Sequence, residues 1–183
     1  MQPKKLHCEM VIDRLSVHLL ETGLSQVSLR QLAAAANVSD RMLLYYFEDK
    51  AAVMAATMER IAARLASSLA QALPEDEIFM PAELLHRAVG ISIRPDMRPV
   101  MRLWIEVVAA AAKGQAPFVA IAAQIMTGFQ IWVESRLDLP AEADRAAIAA
   151  AIIAMVDGFA LVGICSSDDL VDRAAASIAI ISS

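Results

Sequence analysis

The sequence predicts an all-α protein in two parts: an N-terminal three-helix helix-turn-helix domain, then a helical bundle. Three observations lead there. Apolar residues make up 58% of the 183 positions, and much of that share is alanine, the strongest helix former. Only 6 glycines occur, and the 7 prolines fall mostly between periodic blocks. Within those blocks apolar residues recur at helical spacing, without long β-branched runs. The apolar share exceeds that of ordinary soluble domains, so part of the surface is expected to be covered by a partner.

The first helix is expected over Lys4 to Thr22, where Val11, Leu15, His18, Leu19 and Thr22 share a face. Gly23 can take the left-handed conformation that ends it. Ser28 reads as an N-cap before the short helix "LRQLAAAA". Asn37 suits a left-handed tight turn. Ser39 is a second N-cap and opens a third helix, Asp40 to Phe47. A longer helix followed by two short ones across a tight turn is the shape of a helix-turn-helix. Longer helices follow: Ala51 to Leu73, then the loop "PEDEIFMP", then 82–93 stopped by Arg94-Pro95, then 97–112 and 117–137. The last two are Ala141 to Ile164 and Asp168 to Ile181. The domain boundary is placed at residue 50, giving 1–50 and 51–183.

Formal net charge is -5, which argues against coating nucleic acid or anionic membrane by charge alone. Residues 1–50 hold six Lys/Arg and six Asp/Glu; the remainder holds ten against fifteen, so the acid excess lies wholly in the later segment. Cys8 and Cys165 suggest neither a disulfide framework nor a metal knuckle, and fit a reducing cytoplasm. The start "MQPKKLHCEMVIDRL" becomes charged again too soon for a secretory signal. The run Ala146 to Cys165 is long enough to span a bilayer. Asp157 inside it favours a buried interface helix, because a mid-membrane acid is costly.

Catalytic signatures are missing: no G-x-G-x-x-G, no P-loop and no G-x-S-x-G. His7, His18 and His86 have no metal spacing, and His18 reads as a half-buried, hydrogen-bonded residue of helix one. The acid clusters Glu75-Asp76-Glu77 and Asp168-Asp169 stand at helix borders, where they suit caps. No enzymatic activity, cofactor or metal is expected.

The informative stretch is "NVSDRMLLYYFEDKAAV". At about 100° per residue, Leu43 and Phe47 share the inward face of helix three, while Arg41 and Tyr45 point the opposite way, flanked by Met42 and Leu44. Such a face is poorly suited to water and well suited to the DNA major groove. Arginine bonds guanine O6 and N7 together, and apolar side chains touch the thymine methyl. Second helices of helix-turn-helix units present their N-terminal residues to base edges; here those are Ser39, Asp40, Arg41 and Met42. Ser28, Ser39 and the helix N-terminal amides suit phosphates. Lys50 can hold the backbone on one flank, and Arg30 can reach a base or phosphate. Asp40 is expected to favour the positive end of its helix rather than to read cytosine.

"GLSQVSLRQLAAAANVSDRMLLYYFEDKAAV" resembles the DNA-binding segment of the TetR (tetracycline-repressor-like) family of bacterial transcription regulators. The matching positions are Gly23, Ser28, Arg30, Ala33, Val38-Ser39, Leu43, Tyr46-Phe47 and Lys50. The resemblance implies base-facing roles for Arg30, Asp40, Arg41, Met42, Leu44 and Tyr45. It implies phosphate contacts for Ser28, Ser39, Tyr46 and Lys50. Members often carry glycine at the place of Arg41 and tyrosine at that of Leu44, so an operator sequence does not transfer. "MVDGFAL" (155–161) is similar to the penultimate, dimerising helix of many members, and "RLWIEV" (102–107) to a central ligand-domain helix.

In the second segment, Trp104, Phe118, Phe129 and Trp132 either pack a core or line an apolar effector pocket between helices, with His86, Met101 and Ile125 joining it. Arg98, Arg102 and Glu106, four apart, predict a solvated ion-pair face. Residues 147–155 and 174–181, small and apolar, predict a four-helix interface with a second copy. A two-fold dimer matches a palindromic operator. The expected function is therefore that of a cytoplasmic dimeric DNA-binding regulator; the resemblance implies a repressor, released by a small, largely apolar effector. The alternative is a helical small-molecule-binding protein without DNA function.

Overall fold

The computed structural model describes residues 3–74 and 76–177, and these form nine α-helices. The apolar stripe of the first periodic block folds as α1 (Pro3–Thr22), burying Val11, Leu15 and Leu19. Gly23 ends it at φ +66°. The chain then makes one 3-10 turn, Gly23–Gln26, which the sequence pattern does not announce. The next helices are α2 (Leu29–Ala35), α3 (Asp40–Tyr46) and α4 (Lys50–Ala72). They are followed by α5 (Pro81–Ser92), α6 (Arg98–Ala112), α7 (Phe118–Arg136), α8 (Arg145–Cys165) and α9 (Asp168–Ala176).

Caps explain where these helices begin. Ser28, Ser39, Asp144 and Ser167 each accept from the backbone N–H three residues on, at 3.3, 3.1, 3.0 and 3.4 Å. Asp49 does the same for Ala52 at 2.7 Å, ahead of α4. Each satisfies a helix-start donor that has no intrahelical partner. The Asp144 cap starts α8 four residues later than its alanine content predicts, because a bonded cap decides the start where propensity is flat. The predicted extension of α9 to Ile181, and Glu75 of the acid cluster, lie outside the described residues.

The chain forms two compact units. The first holds residues 1–68 and 102–123, the second 69–101 and 124–183. In the first, α1 packs on α2 and α2 on α3. The Arg14 guanidinium donates to the Ala36 carbonyl at 2.9 Å, tying α1 to the tight turn. Arg60 of α4 pairs with Glu9 and Asp13 of α1, and Arg64 with Asp13 at 2.8 Å.

In the second unit α5, α8 and α9 pack together. Leu73, Phe79, Leu84, Leu85, Val89, Val133, Leu137 and Ile152 form its core. The buried Arg136 donates to the Pro74 carbonyl at 2.6 Å, and Arg145 to the carbonyls of Glu134 and Leu137. Backbone bonds between Phe79 and residues 136 and 138 close the long loop against this end of α7. α8 is long and apolar enough to cross a membrane by length and composition. The half-buried Asp157 lies on it.

Candidate nucleic-acid interface

The tight turn between α2 and α3 rests on Asn37, at φ +57°. Asparagine is one of the few side-chain-bearing residues enriched in this region. The Val38 amide reaches back to Ala33 at 3.0 Å, closing the end of α2 before Ser39 caps α3. At α2 the cap is reciprocal: the Gln31 side chain accepts from the Ser28 amide at 3.0 Å while Ser28 caps the Gln31 amide. The two short helices, seven residues each, are too short to persist alone. Caps and buried contacts hold them.

The predicted division of α3 is present. Leu43 is fully buried and Phe47 is half-buried. Arg41, Met42, Leu44 and Tyr45 are exposed, Tyr45 by 61%. Tyr46 is half-buried, with its ring edge-on to Tyr45 at 5.4 Å and tilted against His7 of α1 at 5.6 Å. His7 is a neighbour that helix periodicity could not find, because only the fold brings α1 beside the end of α3. Ser28 and Ser39 are exposed, with their hydroxyls engaged in the caps. Asp40 is exposed in the first turn of α3, where a carboxylate favours the helix's positive end.

Arg30, Arg41 and Lys50 are exposed and make no ion pair among the described residues. Each stands in the first turn of its helix, α2, α3 and α4 respectively. A cation there opposes the macrodipole, at a cost of about 0.3–1 kcal/mol at the surface. Three such placements leave local stability unfulfilled and suit an external polyanion. By contrast, Arg14, Arg60 and Arg64 are committed to internal carbonyls and carboxylates.

The residues predicted for an effector pocket fall in both units. Trp104 and Phe118 belong to the first; His86, Met101, Ile125, Phe129 and Trp132 belong to the second. His86 is exposed. Phe129 and Trp132 pack against the second unit's core, with the Arg136 guanidinium 5.4 Å from the Trp132 ring centre. Met101 lines a cleft of about 170 Å³ with Ile93, Phe159 and Val171, rimmed by Arg98 and Asp168. Arg98 and Asp168 pair across it at 2.5 Å. The predicted ion-pair face on α6 is not formed: Arg98 reaches α9, while Arg102 and Glu106 reach the end of α1. Among the described residues no group of His, Cys, Asp and Glu could hold a metal.

Residues 18–57 match the model of the family "Bacterial regulatory proteins, tetR family". No curated protein matches the chain. Solved structures resemble it over nearly its full length. A TetR-family transcriptional regulator from Cytophaga hutchinsonii is 16% identical, covering 97% of this chain and 94% of its own, with a TM-score of 0.78. A transcriptional regulator from Rhodococcus is 21% identical, covering 94% of each chain, with a TM-score of 0.74. The multidrug binding protein EbrR, complexed with proflavin, is 18% identical, covering 94% and 99%, with a TM-score of 0.63. These likenesses establish the shared fold.

Proposed function

We infer that this chain, whose residues 18–57 match the tetR family of bacterial regulatory proteins, is a dimeric, sequence-reading repressor that a small, largely apolar effector releases. The observation that carries this reading is the set of three first-turn cations, Arg30, Arg41 and Lys50, which make no ion pair among the described residues, beside the exposed Met42, Leu44 and Tyr45. Arg41 and Tyr45 read base edges, with Met42 and Leu44 against thymine methyls. Arg30 and Asp40 lie beside them at the helix starts. Ser28, Ser39, Tyr46 and Lys50 hold phosphates and fix the register. Residues 1–50 supply this reading head, and 51–183 supply effector binding and dimerisation.

The dimer is proposed through α8 and α9. Met155, Leu161, Val162, Ile164 and Leu170 are exposed there, and a two-fold copy covers such a surface. An interface role accounts for the hydrophobicity of α8 without a membrane. The operator is a palindrome whose half-sites match the two-fold axis. The effector must bind the two spacings of the reading heads differently, because equal affinity shifts nothing. EbrR binds proflavin; a small ring system of that kind is the class of effector to try first, with His86, Met101, Ile125, Phe129 and Trp132 of the second unit as candidate contacts. The protein is proposed to be cytoplasmic and non-enzymatic.

The test is duplex DNA binding as a function of salt. The logarithm of affinity should fall linearly with the logarithm of salt concentration, with a slope set by several phosphates. Absence of any salt-sensitive binding by folded protein contradicts the reading.

A further inference from the structure

Two charged residues of α6 converge on the turn that leads out of α1. The Arg102 Nη2 donates to the Leu20 carbonyl at 2.8 Å and to the Glu21 carbonyl at 3.0 Å. These are among the last four carbonyls of α1, which have no intrahelical donor. One turn further along α6, the Glu106 carboxylate accepts from the Leu24 amide at 2.5 Å. Gly23 lies between these anchor points, buried, at φ +66°. The Glu106 carboxylate approaches its Cα so closely that a Cβ there would collide with it. Glycine suits position 23 on both counts.

The charges match the backbone they meet. A cation at a helix C-terminus and an anion on free amides are each favoured. Arg102 and Glu106 form no ion pair with each other among the described residues, although their spacing would allow it. Both are spent on holding α6 to residues 20–24. This turn is continuous with the reading head: α1 packs on α2 and bonds through Arg14 to the Ala36 carbonyl before α3. An apolar contact can slide. Three hydrogen bonds to fixed backbone atoms cannot, because a shift of about 1 Å takes them out of bonding range.

We propose that Arg102 and Glu106 are positioning residues for DNA binding: α6 sets the pose of α2 and α3 through the end of α1, by way of these bonds. The proposal rests on the dimeric DNA-binding reading above. Arg102 is exposed, so its bonds add little net stability while fixing geometry. Displacement of α6 therefore frees the head without unfolding it.

The experiment uses the full chain and a set of duplexes. The operator enriched from random DNA is remade with its half-sites one or two base pairs closer or further apart. Each added base pair turns one half-site by about 35° relative to the other. The wild type is expected to lose about tenfold or more in affinity per base pair of altered spacing, within the usual range of coupling between sites. Arg102→Met and Glu106→Ala should bind the best spacing more weakly and lose less than about threefold per base pair, a flattening that loss of stability alone does not produce. Arg102→Lys, which keeps the charge but not the two-pronged geometry, should lie between them, and it decides the matter if Arg102→Met does not fold. Spacing profiles that match the wild type in all folded variants overturn the clamp and leave the DNA reading intact. Failure of the wild type to bind any duplex overturns the DNA reading itself.

Discussion

Arg41 and Leu43 are two residues apart on a seven-residue helix and have opposite fates. Leu43 is fully enclosed, and Arg41 is exposed with no ion pair among the described residues. Leu43→Ala should therefore cost about 2–5 kcal/mol of stability, the range for buried leucines, measured by denaturant unfolding. Arg41→Ala should leave stability within about 0.5 kcal/mol. It should cost about 1–3 kcal/mol of DNA affinity and relax preference at one base position. Lys50→Ala should weaken binding to all sequences alike and lower the salt slope by about one, measured by titration across a salt series. Which face each of these residues occupies was legible beforehand, because a helix turns by a fixed angle per residue. The destination of Arg102 and Glu106 was not. Their spacing of four suits a pair along one helix, and the true acceptors lie 82 and 81 positions away from Arg102.

The helix-turn-helix depends on caps more than on propensity, since α2 and α3 are too short to hold themselves. Ser39→Ala removes the oxygen that receives the Met42 amide at 3.1 Å. It should cost about 1 kcal/mol of stability and weaken DNA binding by loosening α3, checked by thermal melting alongside titration. Serines before apolar periodic runs are a strong written signal, and Ser28 and Ser39 mark their helices in the sequence. Alanine-rich borders carry no such signal. The start of α8 could not be placed until the Asp144 cap was seen, and the 3-10 turn after Gly23 has no pattern of its own. Phe129 and Trp132 show a related limit. Their spacing fits a pocket wall or a core equally, and only packing places them against the second unit's core.

At the scale of the whole molecule, the proposed dimer surface and the proposed DNA surface have to act together. Leu161 on α8 is 51% exposed, so Leu161→Glu should leave the protomer folded while separating dimers, read by sedimentation. Operator affinity should then fall by about a hundredfold or more, because the second half-site no longer benefits from effective concentration. The central claim, that a two-fold pair of these chains reads DNA sequence through α3, is tested most directly by selecting binding sites from random duplex DNA with the purified protein near physiological salt. The account predicts enrichment of a two-fold symmetric site whose half-sites lose definition at one position in Arg41→Ala. A folded dimer that enriches no site, or one whose enriched site is unchanged by Arg41→Ala, would contradict it.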